Sequence, residues 1–345
     1  MKTAAAILIE QRQPLLIDEV ELPTLGYGQV LVQVKVSRIC GSQLGEIDGV
    51  KGPDKYLPHL LGHEGGGVVL EIGPEVTYVN PGDHVVLHWR PGAGIQAPAA
   101  KYRLGSRTIN AGNITTFQNL TVVSENRVTR IPRDVDFETA ALLADTLTTG
   151  FGAVARNAQV QLGESVVVIG VGGIGLGVVL GAQLAGAFPV IAVDIHPAKL
   201  AKAREYGARH TIDARTENVV DAIHKILGGP ADIAFEVTGQ PAVMDQAWRA
   251  TGPKGRVVLV GVMAHDKQFS FHTLPLHLGK VLTGSEGGSS QPHIDIPRYL
   301  RMIRAGRFDP RGMVSHRCTL ANVNEAIATM RSGESLHTMI HFGES

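Results

Sequence analysis

Cysteine and aromatic residues are scarce in this sequence of 345 residues. Its two cysteines, Cys40 and Cys318, cannot form a framework of several disulfides or a zinc lobe held by four cysteines within one chain. Aromatic residues make up 5% of the chain, whereas glycine occurs 41 times. This balance is typical of an α/β protein with many tight turns.

An excess of charge of either sign is also missing. The 32 basic and 32 acidic residues argue against nucleic acid or an anionic membrane surface as the main partner. The segment 1–10 lacks the long apolar core and cleavage site of a secretion signal. The apolar stretch 166–193 is interrupted by glycines and Pro189, which favours buried strands and a helix over a membrane span. We therefore expect a cytoplasmic protein that binds neither nucleic acid nor membrane.

Two kinds of pattern follow each other along the chain. Up to about residue 145, short β-like runs such as 30–36 and 67–73 are separated by turn signals. From about residue 149 to 284, continuous apolar runs alternate with helix-like segments, as in strands buried on both faces of a sheet. The length favours two domains. The sequence thus predicts an α/β fold, with a β-rich module followed by a doubly wound parallel sheet.

A glycine-rich turn lies between the apolar run 165–169 and a helix-like segment. It reads Gly170-Val171-Gly172-Gly173-Ile174-Gly175. Gly170 permits a tight turn, Gly172 lets the backbone approach a pyrophosphate, and Gly175 lets the helix pack closely on the strand. The helix N-terminus adds free N–H groups that bind an anion. The turn, including Gly173 and Ile174, is therefore predicted to bind a dinucleotide.

Asp194 ends the next predicted strand. A carboxylate there accepts hydrogen bonds from ribose hydroxyls and repels a 2′-phosphate, which predicts NAD rather than NADP. Lys199 is a further candidate for the adenosine ribose, and Val237, Thr238 and Val260 are assigned to the cofactor because they follow later strands. Two alternatives stay open, that Asp194 only caps the next helix and that Lys199 is a solvated surface residue.

Two strings upstream of the turn carry side chains that bind metals, namely Ile39-Cys40-Gly41-Ser42 and Leu61-Gly62-His63-Glu64. A catalytic zinc keeps three protein ligands and one open position. Followed by the glycine-rich turn, these strings resemble the zinc-containing alcohol dehydrogenase family of the medium-chain dehydrogenases. The resemblance extends over nearly the whole chain.

This resemblance implies a zinc site. Cys40 and His63 match two zinc ligands, and Asp145 stands where the family usually has a cysteine as third ligand. Glu64 matches a glutamate that can approach the metal. One catalytic zinc and no structural zinc are expected, because the region after Trp89 lacks the cysteines of the structural lobe. A metal-free relative in which Asp145 is only hydrogen-bonded is the alternative.

The resemblance also implies the domain organisation. An NAD-binding Rossmann domain, 147–284, would be inserted into a GroES-like catalytic domain formed by 1–146 and 285–345. The active site would lie in the cleft between the two domains. The relatives are homodimers or homotetramers, and the same is expected here.

The reaction implied is hydride transfer between a secondary alcohol and NAD, with zinc stabilising the alkoxide. Ser42 matches the hydroxyl that binds the substrate oxygen and starts a proton relay. Thr149 matches a residue beside the nicotinamide. Trp89 and Arg90 fall where the substrate pocket begins, and this pair suggests a polar alcohol such as a polyol or a sugar derivative.

Three departures from the family pattern bear on this interpretation. Gln43 replaces an aspartate that orients the ligand histidine, and Gly45 replaces a histidine of the proton relay. His337 stands where an arginine often contacts the pyrophosphate. Two other functions stay open, although the set of Cys40, His63, Glu64 and Asp145 argues against the first and only Gln43 and Gly45 favour the second. One is a zinc-free NAD(P)H-dependent quinone or enone reductase, and the other is a catalytically silent NAD-binding sensor.

Overall fold

A computed structural model describes residues 1–343, so the last two residues of the predicted segment 285–345 lie outside the described residues. The strands, numbered along the chain, are β1 Lys2–Leu8, β2 Leu16–Glu21, β3 Gln29–Ile39, β4 His59–Leu60, β5 Glu64–Ile72, β6 His84–His88, β7 Lys101–Leu104, β8 Arg107–Asn110, β9 Leu120–Ser124, β10 Val128–Ile131, β11 Val166–Ile169, β12 Val190–Asp194, β13 His210–Asp213, β14 Ala231–Glu236, β15 Thr251–Leu259, β16 Val281–Gly284, β17 Val314–Thr319 and β18 His337–His341. The helices are α1 Gly41–Asp48, α2 Phe137–Ala144, α3 Thr146–Gly152, α4 Gly173–Leu184, α5 Pro197–Glu205, α6 Val219–Leu227, α7 Pro241–Ala250, α8 Leu274–His277, α9 Pro292–Arg304 and α10 Val323–Arg331.

The chain divides into two compact units. The first unit combines Met1–Asp145 with the described residues from Gln291 onward, and the second is Thr146–Ser290. The predicted boundaries, 146 and 284, differ from these by one residue and by six. The larger difference arises because the segment after β16 packs on α3: a Cβ at Gly288 would lie 2.4 Å from the Thr149 carbonyl oxygen. The second boundary is therefore corrected to residue 290.

The described residues of the first unit form a small barrel and a larger sheet. The barrel order is β1-β2-β7-β8-β4, and the sheet order is β10-β6-β5-β3-β18-β17, with β9 also paired to β3. Alternate residues of β3, including Val30, Val32 and Val34, point into one buried cluster, as the period of two along a strand requires. The strand β18 pairs antiparallel with β3, so a segment from the C-terminal part of the chain lies within this sheet.

The second unit contains a parallel sheet of order β13-β12-β11-β14-β15-β16. Its central strand β11 is Val166-Val167-Val168-Ile169, at most 3% exposed, as expected of a strand covered on both faces. The chain runs outward from β11 in one direction and then restarts at β14 on its other side. This reversal is the topological switch point of a doubly wound fold, and it confirms the predicted fold class. Among the described helices none is long and apolar enough to cross a membrane.

Candidate metal centre and nucleotide site

Cys40 and the pair His63–Glu64 lie together because β3 and β5 are antiparallel neighbours. Ser37 pairs with Gly65 in this ladder, so the end of β3 lies beside the start of β5. Cys40 follows the last residue of β3 and is the N-cap of α1, while Glu64 is the first residue of β5. Strand pairing therefore brings two segments that are separate in the sequence together where β3 ends and β5 begins.

Asp145 reaches the same place at the end of α2. A Cβ at Gly66 would lie 2.7 Å from the Cβ of Ala140, so glycine in β5 allows the helix to pack this closely. The helix has Asp136 as its N-cap, and the Asp136 carboxylate accepts a hydrogen bond of 2.8 Å from the Thr139 N–H. It ends at Asp145, the C-cap residue. The close packing of α2 on β5 thus sets the position of the predicted third ligand.

The four candidate side chains form one compact cluster. Ligand atoms of Cys40, His63, Glu64 and Asp145 all lie within 4.8 Å of one another. Asp145 Oδ2 is 3.8 Å from Cys40 Sγ and 3.6 Å from His63 Nε2, and Glu64 Oε1 is 3.4 Å from His63 Nε2. Atoms at zinc-ligand distance from a common tetrahedral centre are about 3.3 to 3.8 Å apart. The spacing therefore fits a zinc ion.

Two buried atoms of the cluster support this fit. His63 Nε2 and Glu64 Oε1 make no hydrogen bond within residues 1–343. Such atoms are rare in folded proteins, because leaving a buried polar group without a partner is costly. Burial by itself would lower the pKa of His63, but the neighbouring acidic groups of Asp145, Cys40 and Glu64 raise it well above its usual value. The cluster thus favours a cation, and its sulfur, nitrogen and oxygen donors suit zinc.

The side chains behind His63 hold its ring. The Gln43 amide nitrogen contacts His63 Nδ1, and its oxygen accepts a hydrogen bond of 2.9 Å from the Cys40 N–H. The Ser42 hydroxyl lies 3.4 Å from the same Nδ1. A ring whose Nε2 faces a metal carries its proton on Nδ1 and needs an acceptor there, which the Ser42 oxygen or a rotated Gln43 amide provides. Gln43 therefore contacts His63, the candidate ligand, although the resemblance leads to an aspartate at its position.

Trp89 contacts the cluster through Asp145. Its Nε1–H donates a hydrogen bond of 3.0 Å to Asp145 Oδ1, while Oδ2 faces Cys40 and His63. The Arg90 guanidinium lies 5.6 Å from the centre of the Trp89 ring. The sequence indicated Trp89 only as a pocket wall and gave no sign of its hydrogen bond to the Asp145 carboxylate. The pocket assignment of Trp89 and Arg90 stays a prediction.

We expect Trp89→Phe to weaken zinc binding by about 10- to 100-fold, the usual effect of removing a side chain that orients a metal ligand. The substitution keeps a large ring but removes the hydrogen bond that Trp89 donates to Asp145 Oδ1. Competition with a coloured chelator measures the change in Kd. The matched control is Trp248→Phe, which alters the other tryptophan, in the second unit. Equal zinc affinity in the wild type and Trp89→Phe would contradict the prediction.

The structure corrects the prediction for His337. Its ring is fully buried in the first unit, and Nδ1 lies 3.0 Å from Arg38 Nη1. Arginine only donates hydrogen bonds, so Nδ1 is the acceptor. Burial, followed by the charge of Arg38, lowers the pKa of His337 well below its usual value. An enclosed, neutral ring of this kind does not bind a pyrophosphate.

The glycine-rich turn of the second unit has the conformation that the sequence predicts. Gly170 has a φ of 91°, in the left-handed region that favours glycine. A Cβ at Gly175 would lie 1.9 Å from the Gly170 carbonyl oxygen, whereas a Cβ at Gly172 would meet nothing within 4 Å among residues 1–343 apart from its chain neighbours. Gly172 is the N-cap of the 12-residue helix α4. Open space therefore lies at a helix N-terminus, a suitable place for a phosphate group.

The Asp194 carboxylate forms hydrogen bonds both to this turn and to the residue before α5. One carboxylate oxygen accepts a hydrogen bond of 2.9 Å from the Val171 N–H, and the other accepts one of the same length from the His196 N–H. Asp194 thus supports both the turn and the start of α5. Lys199 lies half-buried in the first turn of that helix. Contacts of Asp194 and Lys199 with a ribose stay predictions.

The cofactor candidates Val237 and Val260 follow the carboxyl-terminal ends of the parallel strands β14 and β15. Val237 N–H donates to the carbonyl oxygen of Ile169 at the end of β11, and Val260 N–H donates to that of Glu236. The buried carboxylate of Glu236 accepts hydrogen bonds from the Thr238 N–H at 2.7 Å and its hydroxyl at 2.5 Å. Sequence reasoning missed Glu236, although an acidic residue ending an apolar run was a visible signal. Thr149 lies in α3 of this unit, and its cofactor contact stays a prediction.

Known proteins resemble the chain over its full length. Residues 26–133 match the model of the alcohol dehydrogenase GroES-like domain, and residues 173–305 match that of the zinc-binding dehydrogenases. S-(hydroxymethyl)glutathione dehydrogenase of Paracoccus denitrificans is 31% identical over 374 residues, covering 99% of this chain and all of that protein. Alcohol dehydrogenase class-3 of Cereibacter sphaeroides is also 31% identical, with the same coverage.

Two solved structures resemble the fold closely. An alcohol dehydrogenase zinc-binding domain protein from Burkholderia ambifaria has a TM-score of 0.91 and 30% identity, and each chain is fully covered. Benzyl alcohol dehydrogenase from Acinetobacter calcoaceticus has a TM-score of 0.89 and 27% identity, covering 99% of this chain and all of the other. The predicted combination of a GroES-like domain and a Rossmann sheet is confirmed. The chain belongs to the zinc-type alcohol dehydrogenase family of the medium-chain dehydrogenases, which are oxidoreductases.

Proposed function

We propose that this chain is a zinc- and NAD-dependent dehydrogenase that interconverts a secondary alcohol and its ketone. The observation that carries the proposal is the cluster of Cys40, His63 and Asp145, in which a buried imidazole nitrogen has no hydrogen bond among the described residues. Three protein ligands are the number that a catalytic zinc keeps. A zinc-free reductase would have no use for such a set.

In this proposal a bound zinc would supply Lewis acidity, and NAD would supply the hydride acceptor. Cys40, His63 and Asp145 would hold the ion, and Trp89 donates a hydrogen bond to the Asp145 carboxylate. The Ser42 hydroxyl receives the proton of the alcohol, because it is a short donor–acceptor group next to the ligand histidine. Gly45 has no side chain to continue the relay, so the proton leaves Ser42 to water.

The nucleotide turn supports the cofactor assignment. The open space at Gly172 and the N-terminus of α4 suit a pyrophosphate, and Gly170 and Gly175 keep the turn tight. Asp194 favours NAD over NADP, and Thr149 is proposed to lie beside the nicotinamide. Comparing kcat/KM for the two cofactors tests this choice, and a preference for NADP would overturn it.

The substrate proposed is a polar secondary alcohol, such as a polyol or a sugar derivative. The guanidinium of Arg90 over the ring of Trp89 gives the candidate pocket one charged and one flat apolar surface. Two relatives are named for other substrates, S-(hydroxymethyl)glutathione and benzyl alcohol. Both belong in any substrate panel, since the family alone does not select among these alcohols.

We expect one zinc per chain and NADH formation with secondary alcohols in a panel of polyols, sugar alcohols, benzyl alcohol, simple aliphatic alcohols and S-(hydroxymethyl)glutathione. Elemental analysis measures the metal, and absorbance at the NADH band measures turnover. A strong chelator should abolish turnover, and added zinc should restore it, because the Lewis acid acts on the substrate directly. Full turnover in metal-free protein would contradict the zinc assignment, and turnover of only simple aliphatic or aromatic alcohols would contradict the substrate assignment.

A homodimer or homotetramer is proposed as the assembly. Within the described chain β16 pairs with β15 on one side, and its other side is an edge of the sheet. Val281 in β16 and Leu278 just before it are 44% and 60% exposed. An edge strand flanked by exposed apolar side chains is typical of a surface that pairs with another chain. Sedimentation equilibrium measures the oligomeric state, and a monomer would contradict this proposal.

A further inference from the structure

Arg38 is a buried arginine directed at the metal cluster from β3. It lies two residues before Cys40, and alternate residues of a strand point to the same face. Its side chain is 3% exposed. Arginine is almost never buried this deeply unless it is paired, so its partners show what it does.

The guanidinium of Arg38 contacts three side chains. Nε donates a hydrogen bond of 2.7 Å to Glu64 Oε2, and Nη1 donates one of 3.0 Å to His337 Nδ1. Nη2 lies 3.6 Å from Asp145 Oδ2. Contacts on three sides fix the plane of the guanidinium. Arg38 therefore binds one carboxylate of the cluster directly and lies beside a second.

The two carboxylate oxygens of Glu64 have different surroundings. Oε2 is held by Arg38, whereas Oε1 faces His63 Nε2 at 3.4 Å and makes no hydrogen bond among the described residues. The carboxylate is fully buried. Oε1 thus lies next to the candidate ligand atoms, while Oε2 is held by Arg38.

Arg38 also compensates the negative charge of Glu64. With a divalent ion bound, the Cys40 thiolate and the Asp145 carboxylate balance the metal, and Glu64 adds a further negative charge. A buried charge without a partner is strongly unfavourable. Arg38 supplies the compensating charge, and without it the metal would be the cation nearest to Glu64.

We infer that Arg38 is a positioning residue that restrains Glu64 from becoming a fourth protein ligand. A site with four protein ligands is closed, whereas a catalytic site needs one open position. The inference rests on the proposed function, because it assumes that a metal binds Cys40, His63 and Asp145. It goes further by assigning control of the open position to a residue outside the ligand set.

The test compares Arg38→Gln, Glu64→Gln and the double variant as full-length protein. Zinc release to a coloured chelator is the first readout. We expect Arg38→Gln to release zinc about tenfold more slowly, because a freed Glu64 adds a ligand. In the Glu64→Gln background, Arg38→Gln should change the rate by less than about twofold, since the ligand that it would free is gone.

The spectrum of the cobalt(II)-substituted protein is the second readout. In the wild type, added imidazole should shift the visible bands by entering the open position, and in Arg38→Gln this shift should be lost. A purely structural role would instead speed metal release, and Glu64→Gln would not cancel the effect. Release from Arg38→Gln that is unchanged or faster than in the wild type would overturn the inference.

Two further variants complete the design. If Arg38→Gln does not fold, Arg38→Lys replaces it in the same cycle: a lysine keeps the charge but not the forked contact, so a smaller change in the same direction is expected. Arg256→Gln removes a half-buried ion pair with Glu164 in the second unit and should leave zinc release unchanged. Absence of zinc from the wild type would instead overturn the proposed function itself, which separates the two failures.

Discussion

Asp145→Asn is expected to cost the enzyme its zinc and about 10³-fold or more in kcat/KM, because Lewis-acid catalysis contributes several kcal/mol and each 1.36 kcal/mol is a factor of ten. Asparagine has nearly the same shape and can still accept the hydrogen bond from Trp89. It lacks the negative charge that faces Cys40 and His63. Elemental analysis and steady-state kinetics measure both losses.

Two control variants distinguish the loss of a metal ligand from a loss of folding. Asp145→Cys supplies the thiolate that the family usually has at this position, and it should keep one zinc per chain. Asp136→Asn alters the other end of the same helix, where asparagine caps as well as aspartate. It should keep both metal and activity. If Asp145→Asn held a full zinc equivalent, Asp145 would not be a ligand.

Gly172→Ala and Gly175→Ala are expected to fail in different ways, although both add one methyl group to the same turn. At Gly172 the new Cβ meets nothing within 4 Å in the described part of the chain apart from its neighbours, and φ is −66°, so the fold should accept it. The methyl group would occupy the space in which we propose the pyrophosphate. Losing one or two hydrogen bonds to a charged group at about 1.5 to 3 kcal/mol each raises the Kd for NAD by at least about tenfold.

At Gly175 the new Cβ would lie 1.9 Å from the Gly170 carbonyl oxygen, which is backbone and cannot turn aside. Gly175→Ala should therefore lower the free energy of unfolding by about 1 to 3 kcal/mol, as overpacking of a close contact does. Thermal unfolding without cofactor measures this loss, and calorimetric titration with NAD measures binding. A Gly172→Ala variant with unchanged Tm and unchanged NAD affinity would show that the pyrophosphate does not lie against this turn.

Local patterns were the reliable part of the sequence interpretation. The glycine-rich turn joins β11 to α4 without an intervening residue of another element, so its spacing alone predicted its conformation. The apolar run 165–169 predicted the central strand β11 for the same reason. The fold class followed from such repeated units, and the family resemblance supplied Asp145.

Residues with distant partners were predicted less well. His337 and Arg38 are 299 positions apart, and their contact exists only because β18 pairs with β3. The resemblance assigned His337 to the pyrophosphate and gave no sign that its ring is enclosed. Trp89 and Asp145 are 56 positions apart, and their hydrogen bond depends on the packing of α2.

The sequence by itself therefore determined the class of fold, the nucleotide turn and the identity of the candidate ligands, because each depends on neighbours along the chain or on a family motif. Only the tertiary structure decided which side chains hold those ligands in place. Arg38 and Trp89 act through directed contacts, and strand pairing and helix packing over long sequence distances create those contacts. No periodicity or spacing encodes such contacts, since they depend on where whole elements meet.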